Sequence, residues 1–321
     1  MKRIITLILT LLLVFCATAC EATISSANPT YPAPWCINQT EDSVNTAYEK
    51  SVYAITKTDK FANKIIAEGS LTFELKPAGK VENVAYSTLT MDMSITYNEF
   101  ASEVDRGKTD TITSSVTFTS AALTATKSSR TVTIADREGM DNPSYTLEND
   151  YKEGYSKLTM GEFEHTISLK GHSFVGIIDN ELLYFYVRAY PSLNNGLMGY
   201  FKMADFFDMH SRGDSFSPID MRLTTAEAGK DQTLYFPTLK QFLSDDEGSA
   251  ITLPTSVYKY TEPTGPPIQL WFSKNDFKVG ENKTTKLVLT YIRTVEYDLA
   301  SLSIQFETDY KLVDYSVTQG A

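Results

Sequence analysis

Leu89-Thr-Met-Asp-Met-Ser-Ile-Thr-Tyr97 alternates apolar and polar side chains without a break. Successive residues of an extended chain point to opposite faces. Leu89, Met91, Met93, Ile95 and Tyr97 therefore share one face, and Thr90, Asp92, Ser94 and Thr96 the other. One face belongs to a core and the other to water, which is the pattern of an antiparallel sheet.

The same period recurs on both sides. Upstream, Leu71–Leu75 alternates. Downstream follow Val116–Phe118, Thr131–Ile134, Tyr145–Leu147, Tyr155–Met160, Thr166–Leu169 and Leu182–Val187. Turn formers separate these segments: Pro77-Ala-Gly79, Arg106-Gly107, Asp141-Asn-Pro143, Glu153-Gly154, Lys170-Gly171 and Asp179-Asn180. In Tyr48–Lys57 the helical spacing of Tyr48, Val52 and Ile55 competes with the β-prone Ser-Val-Tyr-Ala-Ile-Thr run. β-branched and aromatic residues decide for strand.

Residues 191–248 break the rhythm. Leu197–His210 is rich in aromatics and methionine and predicts a short helix that caps the sheet; Thr238–Leu243 predicts a second. Strands resume with Val257–Tyr260, Ile268–Phe272, Leu287–Arg293, Leu299–Thr308 and Leu312–Val317. The expected fold is mostly β: a long antiparallel meander forming a strongly curved sheet or open barrel, with a short helical insertion. A one-sidedly amphipathic meander of this length must curl to bury its apolar face, and long strands such as Val84–Tyr97 favour curvature.

The N-terminus fixes a location. Lys2 and Arg3 precede the apolar run Ile4–Phe15, which is too short to span a bilayer, for which ~20 residues are needed. Ala17 and Ala19 precede Cys20. This stretch resembles the bacterial lipobox, in which a small residue stands before a cysteine that becomes diacylated. The resemblance implies lipidation of Cys20 and an extracytoplasmic domain anchored to the bacterial cell membrane, since two acyl chains anchor stably where one does not. The alternative is an ordinary signal peptide cut near Ala19 or Ala22. The expected divisions are 1–19 signal peptide, 20–45 lipidated cysteine and tether, and 46–321 β-rich domain, with halves 46–190 and 249–321 around the insertion 191–248. Pro29, Pro32 and Pro34 suit a tether.

The chain carries 29 basic and 40 acidic residues, a formal net charge of -11. That balance argues against nucleic acid, which needs a basic footprint. With Cys16 in the signal and Cys20 lipidated, Cys36 stands alone and can form no internal disulfide. No cofactor is expected.

Chemistry-bearing motifs are sparse. There is no Gly-x-Ser-x-Gly elbow. Ser256-Val-Tyr-Lys259 has the spacing of a serine–lysine pair, but on a strand those residues face opposite ways. His165 and His172 also differ by an odd number, so only a hairpin at Lys170-Gly171 would bring them together. Asp205, Asp208, His210, Asp214 and Asp220 lack metal-loop spacing. No catalytic residue and no metal ligand is assigned.

The aromatic concentration is more informative. Tyr184, Tyr186, Phe201, Phe206, Phe207 and Trp271 either line a pocket for a lipid, glycan or peptide, or fill the core. The strand pattern with a helical insertion resembles, in architecture alone, envelope lipoprotein carriers of the half-barrel type, and the uncharacterised lipoproteins of Gram-positive bacteria. The expectation is a non-enzymatic envelope lipoprotein, held at the membrane by its N-terminal lipid, that binds an apolar or amphipathic ligand or another envelope protein. Alternatives are a structural or adhesive surface module and an unrecognised envelope hydrolase.

Overall fold

The computed structural model describes residues 47–120, 123–138, 144–174, 177–186, 199–213, 215–225, 232–234, 251–261, 266–275, 277–278, 284–285, 288–298 and 300–319. Cys20, Cys36, the tether and the expected helix Thr238–Leu243 lie outside them.

The first arm is a run of consecutive hairpins: β1 (Ala47–Asp59), β2 (Lys64–Val81), β3 (Val84–Tyr97), β4 (Thr109–Thr119), β5 (Ala125–Thr133), β6 (Tyr145–Asp150), β7 (Tyr155–Met160) and β8 (Phe163–Ser168). The second arm holds β9 (Ile177–Asp179), β10 (Gly199–Ala204), β11 (Ile219–Thr225), β14 (Thr255–Thr261), β15 (Ile268–Ser273), β18 (Leu289–Tyr297) and β19 (Ile304–Gln319). Two small sheets stand apart, β12 (Gln232–Leu234) with β13 (Ile251–Leu253) and β16 (Phe277–Lys278) with β17 (Thr284–Thr285).

The main sheet has 15 strands, in the order β8-β7-β6-β5-β4-β3-β2-β1-β19-β18-β15-β14-β11-β10-β9. Every pairing is antiparallel except β9 with β10. The two ends of the described chain meet in the middle, where β1 pairs β19 from Ala47↔Gln319 to Asp59↔Phe306. The two edges, β8 and β9, are neighbours in sequence.

That arrangement dictates the shape. Fourteen strand spacings laid flat would separate β8 from β9 by roughly 65 Å. The chain from Ser168 to Ile177 can cover only about 30 Å when fully extended. The sheet must therefore curl until its edges approach. Register shifts at Val52/Tyr53, Lys57/Thr58, Pro77/Gly79 and Thr117/Phe118 add the local bends that curvature requires. Gly69 marks another such place: a Cβ there would collide with the Ser94 carbonyl oxygen on β3. Among the described residues the result is an open barrel, mostly β with two short helices.

The concave face carries the core. β2 contributes Leu71, Phe73 and Leu75, β1 Tyr53 and Ile55, β4 Val116 and Phe118, and the second arm Leu270, Phe272, Leu289, Ile292 and Leu312, all buried. Each such side chain contributes roughly 1.5–3 kcal/mol by leaving water. Tyr53 also donates its hydroxyl to the Leu289 carbonyl at 2.8 Å, tying β1 to β18 across the intervening β19.

Three segments differ from expectation. Leu182–Val187 is not a strand: a 3-10 turn at Asn180–Leu182 leads into α1 (Leu183–Tyr186), and Val187 is not described. Asp179 caps the turn, its side chain accepting from the Glu181 N–H. The segment sits inside the curl and is buried on several sides, so its apolar residues follow no period of two. Of the expected helix Leu197–His210, Leu197 and Met198 lie outside the described residues, and the rest is helix only in part. Gly199–Ala204 is strand β10, and the helix α2 (Phe206–Arg212) starts at an Asp205 N-cap and ends at Gly213 in the left-handed region (φ 69). In the expected strand Leu299–Thr308, Leu299 lies outside the described residues, Ala300–Ser301 is a turn, and β19 begins at Ile304.

Candidate functional site

The interior of the curl is aromatic. Phe73, at the middle of β2, meets Tyr53 edge-on at 5.9 Å, Phe185 edge-on at 5.4 Å and Tyr184 at 5.4 Å. Tyr186 packs on Phe201 of β10 at 4.6 Å. The short α1 is thus inserted between the two arms, and its side chains fill what the curved sheet encloses there.

A second cluster lies under α2. Phe206 and Met209 are buried with Leu147, Leu158, Ile167 and Leu169 of β6–β8 and the loop after them. Phe206 meets Tyr151 at 5.7 Å, and Phe207 stacks on Tyr145 at 4.3 Å.

The six aromatics singled out in the sequence are therefore divided. Tyr184, Tyr186 and Phe201 belong to the main interior, and Phe206 and Phe207 to the α2 cluster. Trp271 belongs to neither. It packs edge-on against Tyr291 at 4.9 Å, while its strand neighbours Leu270 and Phe272 join the core. Its buried indole Nε1 has no hydrogen-bond partner among the described residues.

Between these clusters runs a chain of buried polar groups. His165 of β8 faces His210 of α2, Nδ1 to Nδ1, at 2.9 Å. His210 Nε2 lies 2.8 Å from the Ser156 hydroxyl on β7. Ser156 donates to Asn149 Oδ1 on β6 at 2.6 Å, and Asn149 Nδ2 donates to Ser128 Oγ on β5 at 2.8 Å. Ser128 donates to Asp179 Oδ2 at 2.6 Å, and Tyr151 donates to the same oxygen at 2.5 Å. The opposite carboxylate oxygen, Oδ1, takes the Glu181 N–H at 2.9 Å. Beside it, Arg130 of β5 donates to Glu181 at 3.1 Å.

The directions are fixed by valence. Ser156 has one proton and gives it to Asn149, so His210 Nε2 carries a hydrogen and donates to Ser156. His210 Nδ1 is then an acceptor, and His165 Nδ1 donates to it. Every donor points from half-buried His165 toward buried Asp179. Such a one-way chain polarises each bond in the same sense and strengthens it.

The seam also closes the barrel. β5 stands fourth in the sheet and β9 fifteenth, yet Ser128 and Asp179 touch. The edge of the second arm is thus fastened to the inner face of the first by side chains.

Burial shifts the ionisable members. Burial pushes the Asp179 carboxyl up, against the hydrogen bonds from Ser128 and Tyr151. Burial also pushes Glu181 up, with Arg130 pulling against it. Tyr151 is held well above the ordinary phenol range by burial and by Asp179. Burial and the neighbouring His165 push His210 down to about 4, so its ring is neutral near pH 7.

Chemically, this is a constellation of hydrolase-like residue types in an arrangement that does not suit hydrolysis. Ser156 and His210 are within reach of each other, but Ser156 is fully buried and its proton is committed to Asn149. The other nitrogen of His210 meets a histidine and not an orienting carboxylate. His172 does not join His165; it packs beside Phe216 at 4.9 Å. Among the described residues, no group of three or more His, Cys, Asp or Glu side chains is placed to hold a metal ion.

Sequence reasoning missed this seam. A trace of it was present: the run Thr126-Lys-Ser-Ser-Arg130 has no apolar residue, yet β5 lies between two well-patterned strands. A central strand with polar residues facing inward needs buried partners.

Fold and seam together define a β-barrel-like class, a curled antiparallel sheet closed by side chains. Among solved structures, the chain is similar to a beta-barrel-like protein of a domain of unknown function from Brucella abortus, with 10% identity and a TM-score of 0.49 over 86% of this chain and 100% of that one. A likeness of that degree carries no inference about activity. No protein-family model and no curated protein matches the chain.

Proposed function

We propose that the chain is a non-enzymatic lipoprotein of the cell envelope, anchored through Cys20, whose curled sheet holds an apolar or amphipathic ligand. One observation carries the reading. The concave face presents apolar side chains from both arms, and the segment that packs against Phe73, Leu183–Tyr186, is short and aromatic; Leu234, Leu253 and Phe277 of the two small sheets join the same core. An acyl chain would take the place of this segment, at small cost in backbone pairing, since α1 forms no part of the sheet ladder. Ligand residues under this reading are Tyr184, Tyr186 and Phe201 before Phe206 and Phe207; Trp271 lies with Tyr291 away from them.

The test is native mass spectrometry of the purified protein with lipid extraction. A co-purifying lipid that exchanges with added fatty acid or phospholipid is expected. Protein that emerges empty and takes up neither overturns the reading. For the anchor, membrane-fraction mass spectrometry should give a mature N-terminus at acylated Cys20, and Cys20→Ala should release the protein into the soluble extracytoplasmic fraction. Wild type recovered soluble and unmodified would refute it.

A second reading, a structural or adhesive module that pairs its free strand edge with a partner, is favoured by one observation. β8, six residues long, pairs only with β7 on one side and is an edge of the main sheet. Substituting Thr166→Pro should abolish partner capture under that reading and leave lipid retention intact under the first.

A further inference from the structure

Three neighbouring turns at one end of the sheet are built alike. The β1–β2 turn follows Asp59, whose carboxylate accepts from the N–H of Phe61 at 2.8 Å and of Ala62 at 2.9 Å. The β3–β4 loop follows Asn98, whose side-chain oxygen accepts from the Phe100 N–H at 2.9 Å. The β18–β19 turn follows Asp298, which accepts from the N–H groups of Ala300 and Ser301, both at 3.2 Å, and from the Ser301 hydroxyl at 2.6 Å. Each turn is locked by its own side chain, and each holds a large apolar residue in water. Phe61 is 60% exposed, Phe100 52% and Leu302 77%. Leu302 also sits at φ 54, in the left-handed region that leucine rarely adopts.

The turns lie side by side. The Lys60 N–H reaches the Gln305 carbonyl at 2.8 Å, and the Asn98 N–H reaches the Ile66 carbonyl at 2.9 Å. In the sheet order they belong to adjoining hairpins, spaced about 10 Å apart. Arg137 bridges Asp105 at 2.6 Å and Asp110 at 2.9 Å, which pins the longest of the three. Among the described residues, the opposite end of the same strands exposes Val81 and Val84 at the β2–β3 turn.

We infer that this row of turns is a contact surface for a zwitterionic phospholipid bilayer. Ile65, Val104, Tyr297 and Ile304 on the same loops and strand ends are exposed as well, so the row is a shallow apolar rim carried on separate loops and not a shaped pocket. A fluid interface accepts each one independently. Charge points the same way. The whole chain carries -11, but Lys57, Lys60, Lys64, Arg106, Lys108 and Arg137 offset most of Asp59, Glu99, Glu103, Asp105, Asp110, Glu296, Asp298 and Glu307 along the row, with Lys57 paired to Glu296 and Lys60 to Glu307. Four of those carboxylates are occupied by their own turn or by Arg137. This end of an acidic protein is therefore neither repelled by a neutral lipid surface nor steered to an anionic one. Length permits the contact. The row lies at the end of β1 remote from Ala47, about 43 Å along a strand of 13 residues. The chain from Cys20 to Ala47 can span on the order of 90 Å when extended. The inference does not depend on a ligand in the barrel interior.

The test uses the full chain with Cys16, Cys20 and Cys36 replaced by serine and a single new cysteine carrying an environment-sensitive dye. Leu302→Cys reports on the row, and Glu153→Cys, in the exposed β6–β7 turn at the other end, is the control. Because the readout is local, binding by the apolar leader does not mimic it. With phosphatidylcholine vesicles, the dye at position 302 should shift to the blue and be quenched by spin-labelled acyl chains, while the dye at 153 stays aqueous. Adding Phe61→Ser and Phe100→Ser should lower the inserted fraction at 302 by about tenfold or more, with little change in the melting temperature. A dye at 302 that stays aqueous, equal responses at both positions, or insertion unaffected by the serine pair would each overturn the inference.

Discussion

Around Phe73, side chains meet without direction: a ring edge here, a methyl there, from both arms of the sheet. Around Asp179, each contact has a donor, an acceptor and one permitted orientation. Both regions hold the same barrel together, and both are dry. They differ in how they respond to error. An apolar interior loses roughly what is removed from it plus the void left behind. A buried polar chain loses more than the bond that is broken, because the groups that remain are stranded away from water. The barrel therefore has a tolerant body and an intolerant fastening.

The largest effect should come from the body. Phe73→Ala removes the ring on which Tyr53, Tyr184 and Phe185 all pack, and should cost about 3–5 kcal/mol in urea unfolding. A conservative Phe73→Leu should cost less than half of that, which is the mark of tolerance. At the fastening, Asp179→Ala removes one small side chain but strands Tyr151, Ser128 and the Glu181 N–H, and should cost about 2–4 kcal/mol. If Asp179→Ala proves no worse than a surface change, the distinction between the two regions fails.

A pH series sharpens the comparison. His210 titrates at about 4 in the fold and near 6.5 in an unfolded chain. Between those values the unfolded chain binds a proton that the folded one refuses, so this residue makes stability fall as pH falls from 6.5 to 4. Asp179 and Glu181, shifted up, act with the opposite sign: the folded chain takes up their protons first, and they add stability as pH falls through their folded values. The contribution of His210 is isolated by His210→Gln, which keeps a donor for Ser156. The stability gap between wild type and this variant should narrow as pH drops from 6.5 to 4. A constant gap in urea titrations would contradict the assigned neutral ring. The smallest effect is expected outside both regions. Lys202 and Asp220 are exposed and 3.9 Å apart, and Lys202→Ala should change stability by no more than about 0.5 kcal/mol.

The body was legible in the sequence and the fastening was not, and the reason is physical. Leu89–Tyr97 and Leu71–Leu75 each have one wet face, and water imposes the period that makes a strand visible. Leu183–Tyr186 touches protein on several sides, so nothing imposes a period on it, and an apolar run read as strand is a helical turn. The polar chain draws one or two residues from each of β5, β6, β7, β8, β9 and α2. No short window of sequence contains it. The pairing of β1 with β19 is equally invisible, since it joins the two ends of the described chain.

The closure at Ser128 and Asp179 has a consequence in time. A barrel closed by a backbone ladder opens only by stripping that ladder, in steps akin to partial unfolding. Here the last junction is made of side chains, and the strands on either side keep their own pairings when it parts. Parting then breaks the buried hydrogen bonds and lifts α2 from β6–β8, a local opening on the microsecond-to-second scale that leaves the strand ladders of both arms paired.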